Sequence, residues 1–335
     1  MPDIVNHYLL SMKVRQTLHT TFRNMIHLDV YALAALGPDP WFCYRFWCPP
    51  LKYGRDQRGS AMHDSHTGAF LRGLAGRVRS VWQTGKREEG ALLFSYLAGH
   101  ICHYALDSIA HPYIIYRTGL YKETRETLVY RGGHMAFERA LDLEALKKEG
   151  MPLKFTPILG LKRLPASLYE HLNALYSKIY GWKNAARDFN ACIAHQRLLY
   201  TLIRDPKGFL DRFLNRFDNG RSRIDLRVVS YHGKERGDAD VWNHAHKPWR
   251  NPWAPELCST QSFSDLLDDA RQKALRMIEA CGRYMQSGSS KDLEEVLGNR
   301  SYSTGLDLED PRRSNRPVFA SDPFVYKKHF LPERS

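Results

Sequence analysis

Gly99–Tyr113 reads GHICHYALDSIAHPY, and Gly132–Asp142 reads GGHMAFERALD. In the first stretch His103, Asp107 and His111 recur at i, i+4 and i+8, and in the second His134 and Glu138 stand at i, i+4. Four residues advance an α-helix by about 400°, so each set shares one face of its helix. A lone helical histidine is more often a hydrogen-bonded polar residue than a ligand. Here, however, the periodicity aligns three imidazoles and two carboxylates, which would be costly to bury without a cation or other partners. Nitrogen and oxygen donors without thiolates suit zinc.

Working outward, the chain reads as predominantly helical. One or two helices are expected over 6–36, one near Ser60–Thr84, and one over 87–111 that stops at Pro112. Residues 113–131 read as a connection rich in Tyr and Arg, followed by a helix over 133–149. Residues 150–166 read as a loop, followed by helices near 166–181, 184–203 and 205–218 and a strand-like patch at Ile224–Tyr231. A tryptophan-rich loop precedes a helix near 261–287, and a short helix is expected near 290–298. The simplest division is one helical domain over 1–285 and an extension over 286–335, made of the short helix and a basic irregular tail.

Composition narrows the function classes. Hydrophobic residues at 43% exclude a disordered chain. No apolar run is long enough to span a bilayer and the N-terminus shows no secretory pattern, so the expected compartment is cytoplasmic. The six cysteines include no CxxC pair, which argues against a thiolate zinc site or a disulfide framework. A net charge of +13 favours anionic partners: phosphate-bearing substrates, nucleic acid or an anionic membrane surface. No protein partner is indicated.

Further candidate ligands precede the two helices: His7 in MPDIVNHYL, Asp39 in the GPD turn at 37–39, and His63 in AMHDSHTGAFL. Together with HYALD and GGHMAFERALD, this ordered set resembles the zinc-dependent phospholipase C family. That family shares an all-helical fold, with a metal cleft between helices, with the fungal zinc-dependent single-strand nucleases. The resemblance covers roughly residues 2–140. It implies that Asp39, His63, His103 and Asp107 hold one zinc, and that Asp107 bridges to a second held by His7 and the N-terminal amine and carbonyl. His111, His134 and Glu138 would hold a third, so two or three zinc ions are expected. If Met1 is removed, Pro2 would supply the amine.

The implied activity is hydrolysis of a phosphodiester by zinc-activated water, most directly phospholipase C-type cleavage of a phospholipid, with Asp39 as ligand and general base. Two other readings remain open. The aromatics Trp41, Phe42, Tyr44, Phe46 and Trp47 could stack bases in a single-strand nuclease, seat a lipid, or be core. Alternatively, the chain could be an inactive, zinc-stabilised binding protein. His100 and His66 lie near ligand positions as supporting groups or alternative ligands, whereas His244 and His246 read as surface or rim residues.

Overall fold

The computed structural model describes residues 4–48, 54–120, 130, 132–217, 230–232, 240–290, 293–322 and 324. Its centre is α6 (Arg87–Thr118), a helix of 32 residues that is apolar nearly all round. Such a helix must be buried on every side, and neighbours surround it. These are α1 (Ile4–Thr17), α3 (Leu28–Ala34), α5 (Thr67–Gln83), α7 (Gly133–Lys148), α8 (Ala166–Tyr180) and α11 (Phe263–Ser287). The outer helices are α2 (Thr20–Arg23), α4 (Gln57–Asp64), α9 (Ala185–Ile203), α10 (Phe209–Phe217) and α12 (Leu293–Leu297). One antiparallel pair of two-residue strands, β1 (Trp249–Arg250) and β2 (Cys258–Ser259), completes an all-α architecture, with Trp249 opposite Ser259.

α6 does not stop at Pro112. Proline removes one helical hydrogen bond and costs a helix interior about 3 kcal/mol. Beyond it, Tyr113 and Ile114 are fully buried and Ile115 is nearly so, and each buried side chain of this size returns roughly 1.5–3 kcal/mol. Burial therefore outweighs the proline penalty, and the helix runs to Thr118. The first part of the expected 113–131 connection is thus helical, while 121–129 and 131 lie outside the described residues.

The expected helix over Ser60–Thr84 is in fact two. Ser65 is extended and His66 adopts a left-handed conformation at φ 57° between α4 and α5. The break is stabilised from the far end of the chain. Asn299 accepts a hydrogen bond from the Gly68 amide (3.1 Å), and the Thr67 hydroxyl donates to the Arg300 carbonyl (2.9 Å). Asp64 accepts from the hydroxyls of Ser301 (2.5 Å) and Ser303 (2.9 Å). Residues 297–308 pack against this break, with Leu297, Ser301, Tyr302 and Leu306 buried. Most of the strand-like patch, 224–229, lies outside the described residues; Tyr231 makes an isolated bridge with Arg204.

α3 and α6 approach until their backbones nearly touch. A Cβ at Gly99 would lie 2.3 Å from the Tyr31 carbonyl oxygen and 2.8 Å from Ala34 Cβ. Neither obstacle is a flexible side-chain end. Gly99→Ala is therefore expected to cost about 3 kcal/mol of stability through forced separation of the helices, read as a lower urea midpoint. An unchanged midpoint would contradict this close approach.

Candidate metal centre

The expected ligands arrive from four elements and a short 3-10 helix. His7 stands one turn into α1, His63 at the end of α4, His103, Asp107 and His111 on α6, and His134 and Glu138 on α7. Asp39 opens the 3-10 helix Asp39–Cys43. All eight side chains converge. Seven are buried, and His134 is partly open, its side chain 28% exposed.

Among the described residues they form three groups that could hold a metal ion: His7, His103 and Asp107; Asp39, His63 and His103; and His111, His134 and Glu138. Donor atoms around a tetrahedral zinc at about 2.0–2.1 Å stand about 3.4 Å from one another. His63 Nε2 lies 3.4 Å from Asp39 Oδ1 and 3.4 Å from Asp107 Oδ2, while His103 Nε2 is 3.0 Å from Asp107 Oδ2 and 3.8 Å from Asp39 Oδ1. The other Asp107 oxygen, Oδ1, is 3.3 Å from His7 Nε2. Asp107 thus faces two groups with its two oxygens. In the third group Glu138 Oε1 is 2.7 Å from His134 Nε2 and 3.6 Å from His111 Nε2.

Among the described residues, and apart from the close approaches to one another just given, several of these atoms have no hydrogen-bond partner: both ring nitrogens of His7 and of His103, His63 Nε2, His111 Nε2, Asp39 Oδ1 and both Asp107 oxygens. Leaving so many buried polar atoms unsatisfied is costly, and a shared cation removes that cost. The donor set and its spacing therefore fit zinc.

Backbone carbonyls aim two of the imidazoles. The Nδ1–H of His63 donates to the Gly59 carbonyl (2.8 Å), and that of His111 to the Tyr302 carbonyl (2.9 Å). Since a carbonyl only accepts, both rings carry a proton on Nδ1, which makes Nε2 the nitrogen that faces the centre, where it can hold a second proton or, once that is lost, offer its lone pair to a cation. The Tyr302 amide in turn donates to the His63 carbonyl (2.8 Å). One peptide segment thereby braces a candidate ligand in each of two groups. Gly37 (φ +52°) completes the packing: a Cβ there would lie 2.3 Å from the His103 ring.

The charges fit a site built for cations. Burial opposes ionisation of Asp107, yet His103, His111 and His7 outweigh it and hold the carboxyl well below its usual range. Burial also works against a proton on His63, but contacts with Asp107 and Asp39 push it up to about 10. His7 is raised through the same balance, burial being outweighed mainly by Asp107. Protons on these rings supply positive charge to the carboxylates, the role a metal ion would take.

His100 lies outside all three groups. Burial, with His103 and His63 nearby, lowers it to about 3, and its Nε2 meets the Tyr302 hydroxyl at 3.1 Å. It is therefore a neutral supporting ring. His66 is exposed and its ring meets Tyr180 edge-on. His244, paired with Glu144 at 2.6 Å, and His246 are also exposed, as surface residues are expected to be. Pro2 lies outside the described residues.

Sequence reasoning missed two residues that hold the site. Asp142 is fully buried and accepts from the Val5 amide (2.7 Å), the Asn6 amide (2.9 Å) and the Tyr231 hydroxyl (2.6 Å). A carboxylate on the first-turn amides of α1 satisfies helix-terminal donors and complements the helix dipole, and so fixes His7 relative to Glu138. Its signal was present, since Asp142 continues the His134–Glu138 series by four more residues on the same face. Tyr302 had no such signal, because it reaches the His111 ring through its carbonyl and the His63 backbone through its amide, groups that every residue carries.

The sequence model of the zinc dependent phospholipase C family matches residues 4–201, more than half the chain and a span that includes all eight side chains. No curated protein and no solved structure matches the chain. Tyr302 and Asn299 lie beyond the matched span.

Asp142→Ala would strand two buried backbone amides, at roughly 1–3 kcal/mol for each unsatisfied group. A clear drop in the urea midpoint is expected. A midpoint within error of the parent would show that α1 is anchored elsewhere.

Proposed function

The chain belongs to the zinc-dependent phospholipase C family, and from that premise and the cleft geometry we propose that it hydrolyses phosphodiesters, cleaving a phospholipid between its diacylglycerol and its phosphorylated head group. The observation that carries this reading is the spacing of the eight donors: three groups set for shared cations, with unsatisfied buried atoms turned inward. In this reading Asp39, His63, His103 and Asp107 would hold one zinc. His7 and Asp107 would contribute to a second, and His111, His134 and Glu138 would hold a third. When bound, zinc would lower the pKa of water toward about 7 and offset charge on the phosphoryl oxygens.

The chain's own residues do the rest. Asp39, buried beside His63 and His103, takes the proton of the attacking water. The Gly59 and Tyr302 carbonyls keep His63 and His111 in one tautomer, so the positions of the Nε2 atoms are set before substrate arrives. His134, the most exposed of the eight, marks the side from which a phosphate reaches the cleft. The surplus of positive charge over the whole chain favours approach to an anionic lipid surface.

The nuclease reading loses much of its stacking platform. Trp41 is buried against Tyr176, Trp182 and Phe189, and Tyr44 is also buried. Phe42 and Phe46 are half-buried, which leaves Trp47 as the exposed ring. A chromogenic choline phosphodiester and single-stranded DNA, assayed in parallel with zinc-loaded protein, test the proposal. Turnover of the choline ester is expected, with a loss of about 10²–10⁴-fold in Asp39→Asn and an unchanged melting temperature. Turnover of DNA alone would select the nuclease reading. Zinc retained with neither ester cleaved would select a binding protein.

A further inference from the structure

On a face of α6 adjacent to the one that carries the metal centre, a cavity of about 480 Å³ opens between α6, α11 and the segment from α12 to Arg300. Tyr104 and Ser108 line it, and each follows a metal-centre residue, His103 or Asp107, by one position, so it points about 100° away around the helix. We propose that this cavity is a second binding site, specific for a phosphate group carried on a small organic body and held by Lys273, Arg276 and Arg300.

Three cations converge there. Lys273 and Arg276 come from α11 and Arg300 from the segment that follows α12. Among the described residues none of the three forms an ion pair with a carboxylate. The lining holds one acid, Glu295, which is exposed. Lys273 is half-buried, its Nζ donating to Ser108 Oγ (2.7 Å) and lying 4.5 Å from the centre of the Tyr104 ring. A hydroxyl and a ring face do not replace a counter-ion for a half-buried ammonium. Burial, with Arg300 and Arg276 nearby, pulls Lys273 down to about 7. An anion in the cavity would reverse that balance.

A tetrahedral phosphate suits this geometry better than a planar carboxylate. Its several oxygens can be shared among an ammonium and two guanidinium groups, and its second charge meets the cationic excess. The Tyr104 hydroxyl already accepts from the Arg300 amide (3.0 Å), and its own proton remains to donate. The cavity is larger than a bare phosphate, and Ile109, Met277 and Val296 supply apolar wall for the organic part. The same chemistry is found in a soluble phosphomonoester and in a lipid head group.

Calorimetric titration of the zinc-loaded full chain with glycerol 3-phosphate tests the site, together with co-sedimentation on phosphatidic acid and phosphatidylcholine vesicles. On the function proposed above phosphate would also bind at the metal centre, so the decisive comparison is with variants. Lys273→Met keeps the apolar stem against Tyr104. Arg276→Gln/Arg300→Gln changes two exposed positions and decides the matter should the first variant fold poorly.

Wild type is expected to show two classes of phosphate sites. Each variant should weaken one class by at least about tenfold while leaving the other class and phosphodiester turnover in place. Loss of phosphatidic acid binding in the variants would assign a lipid source, and loss of the soluble ligand alone a soluble one. Unchanged titrations in both variants, or a single class in wild type that Asp39→Asn alone alters, would overturn the proposal. Absence of hydrolysis in wild type bears on the catalytic reading and leaves this one standing.

Discussion

Three carboxylates, Asp39, Asp107 and Glu138, are buried together in a helical core, and that burial is the constraint on which the structure depends. Negative charge at such depth is stable only beside positive charge. Five imidazoles surround the carboxylates, and protons can offset part of the charge, as the raised His63 and His7 show. Imidazole nitrogens left without partners, at spacings that suit a shared ion, are better satisfied by metal. The long continuous scaffold follows from the same need, because His103, Asp107 and His111 keep their register only on one unbroken helix. Burial beyond Pro112 therefore matters to function, since it keeps α6 continuous past its last donor.

Holding the remaining donors on that scaffold takes long-range contacts. Asp142 fixes the start of α1 to α7, across more than a hundred residues of chain, and so sets His7 against Glu138. The Tyr302 peptide links the end of α4 to α6, and Asn299 caps the helix that follows. The segment around Tyr302 falls outside the part of the chain that matches the family, yet it lies directly on two of the imidazoles. The same segment forms one wall of the basic cavity lined by Tyr104 and Ser108.

Much of this was legible in the sequence, for a physical reason. Helical periodicity converts spacing directly into a shared face, so the α6 trio and the α7 pair could be read from i, i+4 alone, and the flanking donors from their motifs. Asp142 lay in the same periodic series but had no evident partner, because its partners are amides at the start of α1. The break at Ser65 was hidden, as Asn299 and Arg300, far along the chain, make it favourable. The stop assigned to Pro112 followed local propensity, which burial of Tyr113 and Ile114 overrode. Composition could not separate core from stacking surface in the aromatic loop, whereas packing buries Trp41 and leaves Trp47 exposed.

On the function proposed above, the eight side chains form a polynuclear zinc site rather than a buried cluster of ion pairs. Zinc content per polypeptide, measured by elemental analysis after exhaustive dialysis, tests it most directly, because one tetrahedral ion cannot use eight side chains. The account predicts about two or three zinc ions per chain. A chain that folds with one ion, or with none, would contradict it.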